Sequence, residues 1–233
     1  RVEIWPETTD ERTMTEVCKP PALDARHIAD ARLYATRNDM VKAIVPRGAK
    51  TVAEVGVALG DFSSFLIDVI RPEEFVAFDT FQMHEWPSHW GRSSNEIFGE
   101  KTHKEFYHER FSRSKARIVI EEGMSYSTLP KYPESSFDFI YLDAAHTYRE
   151  VKIDTELCSR LLTESGILIF NDYTMFDPHL EAHYGVVQAV NELVVSGDWV
   201  VVGFALHCDM FCDIAIKRKK PSSLLKRILG LSA

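Results

Sequence analysis

The chain has 233 residues, 45% of them hydrophobic and 27% charged, the balance of a globular protein long enough for one large α/β core. A formal net charge of −8 at pH 7 argues against nucleic acid as the main partner. No apolar run approaches the ~18 residues of a membrane span, and the four cysteines (Cys18, Cys158, Cys208, Cys212) form no C-x-x-C or zinc-ribbon spacing, so they read as reduced thiols in a cytoplasmic protein.

The opening stretch, RVEIWPETTDERTM, carries no apolar signal-peptide core and does not begin with Met, so it reads as part of a trimmed or longer chain. Residues 1–24 are polar, with Pro6, Pro20 and Pro21, and predict an irregular arm. Residues 24–44 follow a helical period through Ile28, Ala31, Ala35, Met40 and Ile44, predicting one helix that leads into the first strand. Arm and helix occupy 1–42. A single domain follows over 43–217, with an insertion at 80–113 and a basic tail at 218–233.

The domain opens with TVAEVGVALGDFSSF, residues 51–65. A β-rich run, a glycine turn over 56–60 and an amphipathic segment through Phe62, Phe65, Leu66 and Val69 make strand, tight loop and helix start. That is the opening unit of a doubly wound, mostly parallel α/β sheet, in which ligands sit beyond the carboxyl ends of the strands. The loop is spaced E-x-G-x-x-x-G, with Glu54, Gly56 and Gly60. Ala58 stands where a dinucleotide fingerprint has the glycine that lets backbone approach a pyrophosphate. The loop therefore suggests a ligand without phosphate but with a cationic group or hydroxyls. S-adenosyl-L-methionine fits, with its ammonium, sulfonium, ribose diol and adenine. An ordinary βα turn with a solvated Glu54 fits the loop equally well.

A second strand over 75–78 ends in Asp79, placed to accept hydrogen bonds from both hydroxyls of a ribose. Residues 80–113 are long for a crossover and rich in aromatics, as a lid or pocket wall would be. Trp86 and Trp90, in its Gly/Pro/Ser-rich part, are the pocket candidates; most of the other aromatics read as core packing. His84, His89, His103 and His108 lack a paired metal-ligand spacing and read as surface or packing residues. A third strand over 116–120 is followed by Glu121-Glu122-Gly123-Met124-Ser125. The run FDFIYL, 137–142, is a buried fourth strand that delivers Asp143-Ala144-Ala145-His146. A helix over 148–162 closes at Glu164-Ser165-Gly166, and a fifth strand over 167–170 delivers Asn171 and Asp172. After a loop over 173–184 and a helix over 185–195 come two strands near 199–204 and 210–217. The short turn between them forces an antiparallel pair. One reversed strand at the end of a parallel sheet suits a methyltransferase better than a nicotinamide dehydrogenase, whose sheet is all parallel. The tail KRKKPSSLLKRILGLSA is basic and partly amphipathic, and reads as a frayed charged tail rather than a membrane contact.

Neighbouring strand ends bring Asp143, Asn171 and Asp172 to one edge of the crevice. Three oxygen-bearing side chains suit a hard divalent cation, Mg²⁺ or Ca²⁺, better than zinc. Cap and loop hydrogen bonding explains the same residues without a metal. His146 faces the same cavity and can take a proton from a substrate hydroxyl near neutral pH; a histidine packed on the loop or capping the helix is the plainer alternative. Methyl transfer from a sulfonium asks little more than a positioned oxygen, made nucleophilic by a metal or a base.

With these residues the chain over 43–217 resembles the class I S-adenosylmethionine-dependent methyltransferases, and within them the small-molecule O-methyltransferases of the catechol and macrolide-sugar kind. Ala53-Glu54-Val55-Gly56 and Gly60 correspond to the L-E-L-G-x-x-x-G loop of the catechol enzymes. Gly123-Met124-Ser125 correspond to their adenine-contacting G-A-S turn, and Asp143 to their metal-binding aspartate beside the cofactor. His146 stands where that family has a catalytic lysine, and is the expected base in the sugar enzymes. Asn171-Asp172 is the family's Asp-Asn metal pair in reverse order. The resemblance implies a seven-stranded Rossmann-like sheet in the order 3-2-1-4-5-7-6 with an antiparallel terminal strand. It implies S-adenosylmethionine and Mg²⁺ as cofactors, a small-molecule hydroxyl as acceptor, and a homodimer through the arm that holds Trp5 and Met14. A metal-free enzyme on the same cofactor, a nicotinamide oxidoreductase and an inactive binding module remain the alternatives.

Overall fold

A computed structural model describes residues 19–207 and 211–219. The arm residues Trp5 and Met14, Cys18, Cys208 and the tail from 220 lie outside the described residues.

Eight strands form the main sheet: β1 (Arg32–Tyr34), β2 (Thr51–Val55), β3 (Glu74–Asp79), β4 (Arg117–Glu122), β5 (Phe137–Leu142), β6 (Leu162–Phe170), β7 (Trp199–Ala205) and β8 (Asp213–Arg218). Their order across the sheet is β1-β7-β8-β6-β5-β2-β3-β4. β8 runs antiparallel to both its neighbours, β7 and β6, and the other pairings are parallel.

The central strands are apolar on both faces because helices cover both, the usual condition of a parallel sheet. Alternate residues serve the two sides. Val52, Phe75, Ala77, Phe139 and Tyr141 pack with α2 (Arg37–Ile44), α3 (Asp61–Ile70) and α5 (His103–Arg110), through Met40, Val41, Leu66, Ile70 and Tyr107. Ala53, Val76, Phe78, Ile140 and Leu142 pack with α7 (Tyr148–Leu161) and α8 (Val186–Val195), through Val151, Cys158, Leu161, Val190 and Val194. Among the described residues, no helix is long and apolar enough to cross a membrane.

The eighth strand corrects the reading of 24–44 as one helix. Asp24 caps a single turn, α1 (Ala25–Ile28), accepting from the Arg26 amide at 3.0 Å. Thr36 caps α2, accepting from the Asp39 amide at 3.1 Å. The residues between the caps pair with 203–205 of β7 as a parallel edge strand. Apolar spacing carried the helical pattern through a stretch that two polar caps divide, and caps outweigh period over so few residues. A second correction falls at β6, which begins at Leu162 rather than 167. Its register with β5 slips between the pairs Phe137–Leu162 and Phe139–Ile167, so 163–166 bulge out of the ladder.

The insertion over 80–113 holds a two-residue hairpin (Ser88–His89 with Arg92–Ser93), the short helix α4 (Ser94–Phe98) and α5. Ser93 with Glu96 and Thr102 with Glu105 close reciprocal capping boxes on the two helices, the S/T-x-x-E signature.

Four backbone bonds draw the carboxyl ends of the central strands into a common rim. The Gly56 amide donates to the Phe78 carbonyl at 2.8 Å, Asp143 to Val55 at 2.8 Å, Gly123 to Asp79 at 2.9 Å and Asn171 to Leu142 at 3.0 Å. Each donor is a residue the sequence singled out, and each sits just past the end of its own strand.

Candidate active site

Above that rim lies a cavity of about 760 Å³, enough for a ligand of nucleoside size and more. The β2–α3 loop forms its floor. Gly56 has φ +85°, and a Cβ there would stand 1.8 Å from the Asp143 carbonyl oxygen. Glycine is thus required because the loop presses on the neighbouring strand end, not only because a ligand approaches. Gly60, also expected in the cofactor loop, caps α3 and packs against the rings of Tyr107 and Phe111 instead; it is not among the residues lining the cavity.

Glu54 is 2% exposed and lines the cavity, which removes the reading of a solvated turn glutamate. The Ser63 hydroxyl of α3 donates to it, and burial holds its carboxyl well above the usual carboxylate range. Asp79 lines the cavity and fastens the loops beside it. It accepts from the Val57 amide at 2.9 Å through Oδ2 and from the Phe81 amide at 2.8 Å through Oδ1. Gly123, Met124 and Ser125 line the far wall, where the single turn α6 (Ser125–Thr128) begins. Near Ser125 lies the buried Asp154 of α7, and burial pushes its carboxyl up to about 6.

Over the mouth, Trp86 and Trp90 are 62% and 73% exposed yet line the cavity, as read from the sequence. Between them lies His89, its ring 5.7 Å from Trp86 and 5.8 Å from Trp90, with Nε2 donating to the Met83 carbonyl at 2.6 Å. His103 ties the insertion to the first loop, donating from Nε2 to the Ala58 carbonyl at 2.6 Å. Each thus holds a backbone carbonyl of its surroundings, and His89 also lines the cavity, which its reading as a surface or packing residue did not foresee.

The candidate chemistry gathers at the ends of β5 and β6. His146 Nε2 stands 2.9 Å from Asp172 Oδ2. Burial lowers the His146 pKa, but the Asp172 contact and the nearby charges of Asp143 and Asp177 outweigh it and hold the imidazole above its usual value. Asp143 is pushed up to about 6, first by burial and then by repulsion from Asp172. Donor atoms of Asp143, His146 and Asp172 lie within 4.8 Å of one another.

Asn171 departs from the expected oxygen set. It turns its amide NH₂ to Asp143 Oδ1 at 3.1 Å, while its oxygen accepts from Arg37 Nη1 at 3.4 Å and lies 3.2 Å from the Tyr141 hydroxyl. The cation fixes that orientation, since a flipped amide would set NH₂ against guanidinium. The assembled donors are therefore two carboxylate oxygens and an imidazole nitrogen. That set, with one nitrogen among its donors, differs from the expected oxygen triad and fits a borderline transition ion better than Mg²⁺.

Several residues here were not picked out from the sequence. The Tyr184 ring stacks on His146 at 4.3 Å and 5°, and its hydroxyl donates to Asp177 at 2.7 Å. The Gly185 amide donates to the His146 carbonyl at 2.7 Å. Arg37, the first residue of α2, lines the cavity with its guanidinium 4.2 Å over the Phe62 ring. Tyr141 donates to Asp213 at 2.8 Å beneath it. The one available signal was Tyr141, a hydroxyl inside an otherwise apolar strand end.

The model of the methyltransferase-domain family matches residues 53–173. Among solved structures, the chain is similar to a Clostridium thermocellum protein assigned as an rRNA methylase, at 12% identity and TM-score 0.55, covering 79% of this chain and 94% of that one. It is similar to an rRNA methylase of Streptococcus thermophilus at 11% identity and TM-score 0.52, covering 78% and 94%. It is also similar to an O-methyltransferase of Bacillus cereus in complex with SAH, at 15% identity and TM-score 0.53, covering 78% of each. At such identities these likenesses show the fold alone. No curated protein sequence matches the chain.

Proposed function

The chain belongs to the methyltransferase-domain family, and from that premise we propose that it methylates a hydroxyl of a small molecule, with His146 as general base. Its cofactor is S-adenosylmethionine, as in that family. When bound, that cofactor supplies a methyl group activated by a positive sulfonium.

The chain's own residues supply the rest. In this reading Asp79 takes the ribose and the turn at Gly123-Met124-Ser125 the adenine, a reading supported by their lining the same cavity. Glu54 and Asp143 line the cavity, and a cationic ligand would offset the burial that raises both carboxyls and draw them to the ionised form. His146 carries the proposal. Its Nε2 lies 2.9 Å from Asp172 Oδ2 as a charge contact without hydrogen-bond alignment, and a neutral imidazole keeps one ring nitrogen with a lone pair to accept the proton. The carboxylate steadies the imidazolium that forms, and Tyr184 holds the ring plane. Support for a small acceptor comes from the aromatic mouth of the cavity and from the chain's charge of −8, which opposes a polyanion.

His146→Ala is expected to lower kcat by ~10²–10⁴-fold, the usual contribution of a general base, while S-adenosylhomocysteine binds as before in calorimetry. Unchanged kcat would remove the base. A second reading has a metal between Asp143, His146 and Asp172, because their donor atoms converge. There His146 is a ligand, and activity would vanish on chelation and return with Mn²⁺. Turnover that survives EDTA favours the base.

A further inference from the structure

We propose that Arg37 anchors the carboxylate of the cofactor's methionine moiety. The inference rests on the methyltransferase reading, but Arg37 lies outside the 53–173 match, so it is not carried over from the family. The cavity is lined by the acids Glu54, Asp61, Asp79 and Asp143. Among the described lining residues, Arg37 is the one guanidinium or ammonium group.

Its hydrogen bonds are to neutral groups. Nη1 donates to the Tyr141 hydroxyl at 3.0 Å and to the Asn171 oxygen at 3.4 Å. No carboxylate among the described residues lies within ion-pair distance of it. A guanidinium has five N–H donors in a fork, so those on Nε and Nη2 are left for a ligand. A half-buried cation without a carboxylate, its Cζ 4.2 Å from the Phe62 ring centroid, is prearranged for a bidentate anion.

The neighbours identify the anion. In an amino acid, ammonium and carboxylate share one carbon, so their protein partners must stand side by side with opposite charge. Arg37 is within electrostatic reach of both Glu54 and Asp143, the acids facing the same cavity. The adenosine partners, Asp79 and the 123–125 turn, belong to the ends of β3 and β4 on the other side of β2. A cofactor lying across the rim from β4 to β5 therefore brings its amino-acid end to Arg37.

The test is calorimetric titration of wild type, Arg37→Gln and Arg37→Lys with two ligands. One is S-adenosylhomocysteine; the other is its decarboxylated analogue S-adenosyl-3-thiopropylamine, which keeps the ammonium. Losing a charge-assisted pair is expected to weaken S-adenosylhomocysteine in Arg37→Gln by about 10- to 100-fold, with Arg37→Lys between. Binding of the decarboxylated analogue should not weaken in either variant, which also shows the site intact. Equal S-adenosylhomocysteine affinity in wild type and Arg37→Gln overturns the proposal, and a higher KM for an anionic acceptor would then assign Arg37 to the acceptor. An equal loss for both ligands overturns it too, making Arg37 a structural prop. Wild type that binds neither ligand would instead sink the methyltransferase reading on which it stands.

Discussion

At the scale of single residues, the site is made by contacts that sequence spacing only partly discloses. Gly56 was legible: an E-x-G turn at a strand end marks a special backbone position. Its reason was not, because the atom that forbids a side chain is the Asp143 carbonyl, 87 residues away in sequence (143 minus 56) and brought near by strand pairing. Gly56→Ala is expected to cost at least ~1–3 kcal/mol, from positive φ and the backbone clash together. A lowered midpoint in urea, with weaker S-adenosylhomocysteine binding, checks it. A neutral Gly56→Ala would mean that the loop can lift off β5. Asp143, His146 and Asp172 were likewise legible as strand-end residues, but their pairing was not. The sequence suggested three oxygens around an ion. The fold instead turns Asn171 toward Arg37 and sets His146 against Asp172. Side-chain orientation follows from a cation that enters from β1 and α2, and no local pattern at 171–172 points there.

At the scale of elements, helix α7 carries a titration of its own. Asp154 is buried on its inward face near Ser125, and its Oδ2 has no hydrogen-bond partner among the described residues. Its carboxyl sits near 6 in the folded chain against an ordinary 3.8. Between those values the native state binds more protons than the unfolded state, so stability is full below about 4 and falls as pH rises through 6. The difference of about two units corresponds to at most ~3 kcal/mol. Asp154→Asn should therefore lose little at pH 4.5 and gain relative to wild type at pH 7.5, measured by denaturant unfolding at both. An equal difference at the two pH values would rule the carboxyl out as a titrating group. The same burial that makes α7 strongly amphipathic, and so easily read, hides this acid on its apolar face. β1 shows the converse. Three residues between two caps are too few for a period-2 signal, and the neighbouring helical period absorbed them.

At the scale of the whole molecule, much was legible: strand, glycine turn and helix at 51–65, the buried run FDFIYL, and a class of α/β sheet with ligand-facing strand ends. Long apolar strands and amphipathic helices report themselves because each follows a single period. The eighth strand and the early start of β6 did not, because an edge pairing and a register slip are decided by partners distant in sequence. Since the cavity rests on the ends of four strands at once, a ligand there should stabilise the domain as a unit. S-adenosylhomocysteine at about 100 times its Kd contributes ~2.7 kcal/mol, a rise in Tm of roughly 5–10 °C for a domain of this size. A shift confined to one of two transitions would show that the strand ends do not melt together.

The rim that aligns Gly56, Gly123, Asp143 and Asn171 is stitched by amides just past the strand ends, each bonded to a carbonyl within the neighbouring strand. Such protons should be among the last to exchange in deuterated water, while the hairpin bearing Trp86 and Trp90 exchanges early. The walls could then be replaced by grafted segments of other length and chemistry while the carboxylates beneath kept their places. What this scaffold accepts is in that sense interchangeable, and where it reacts is not.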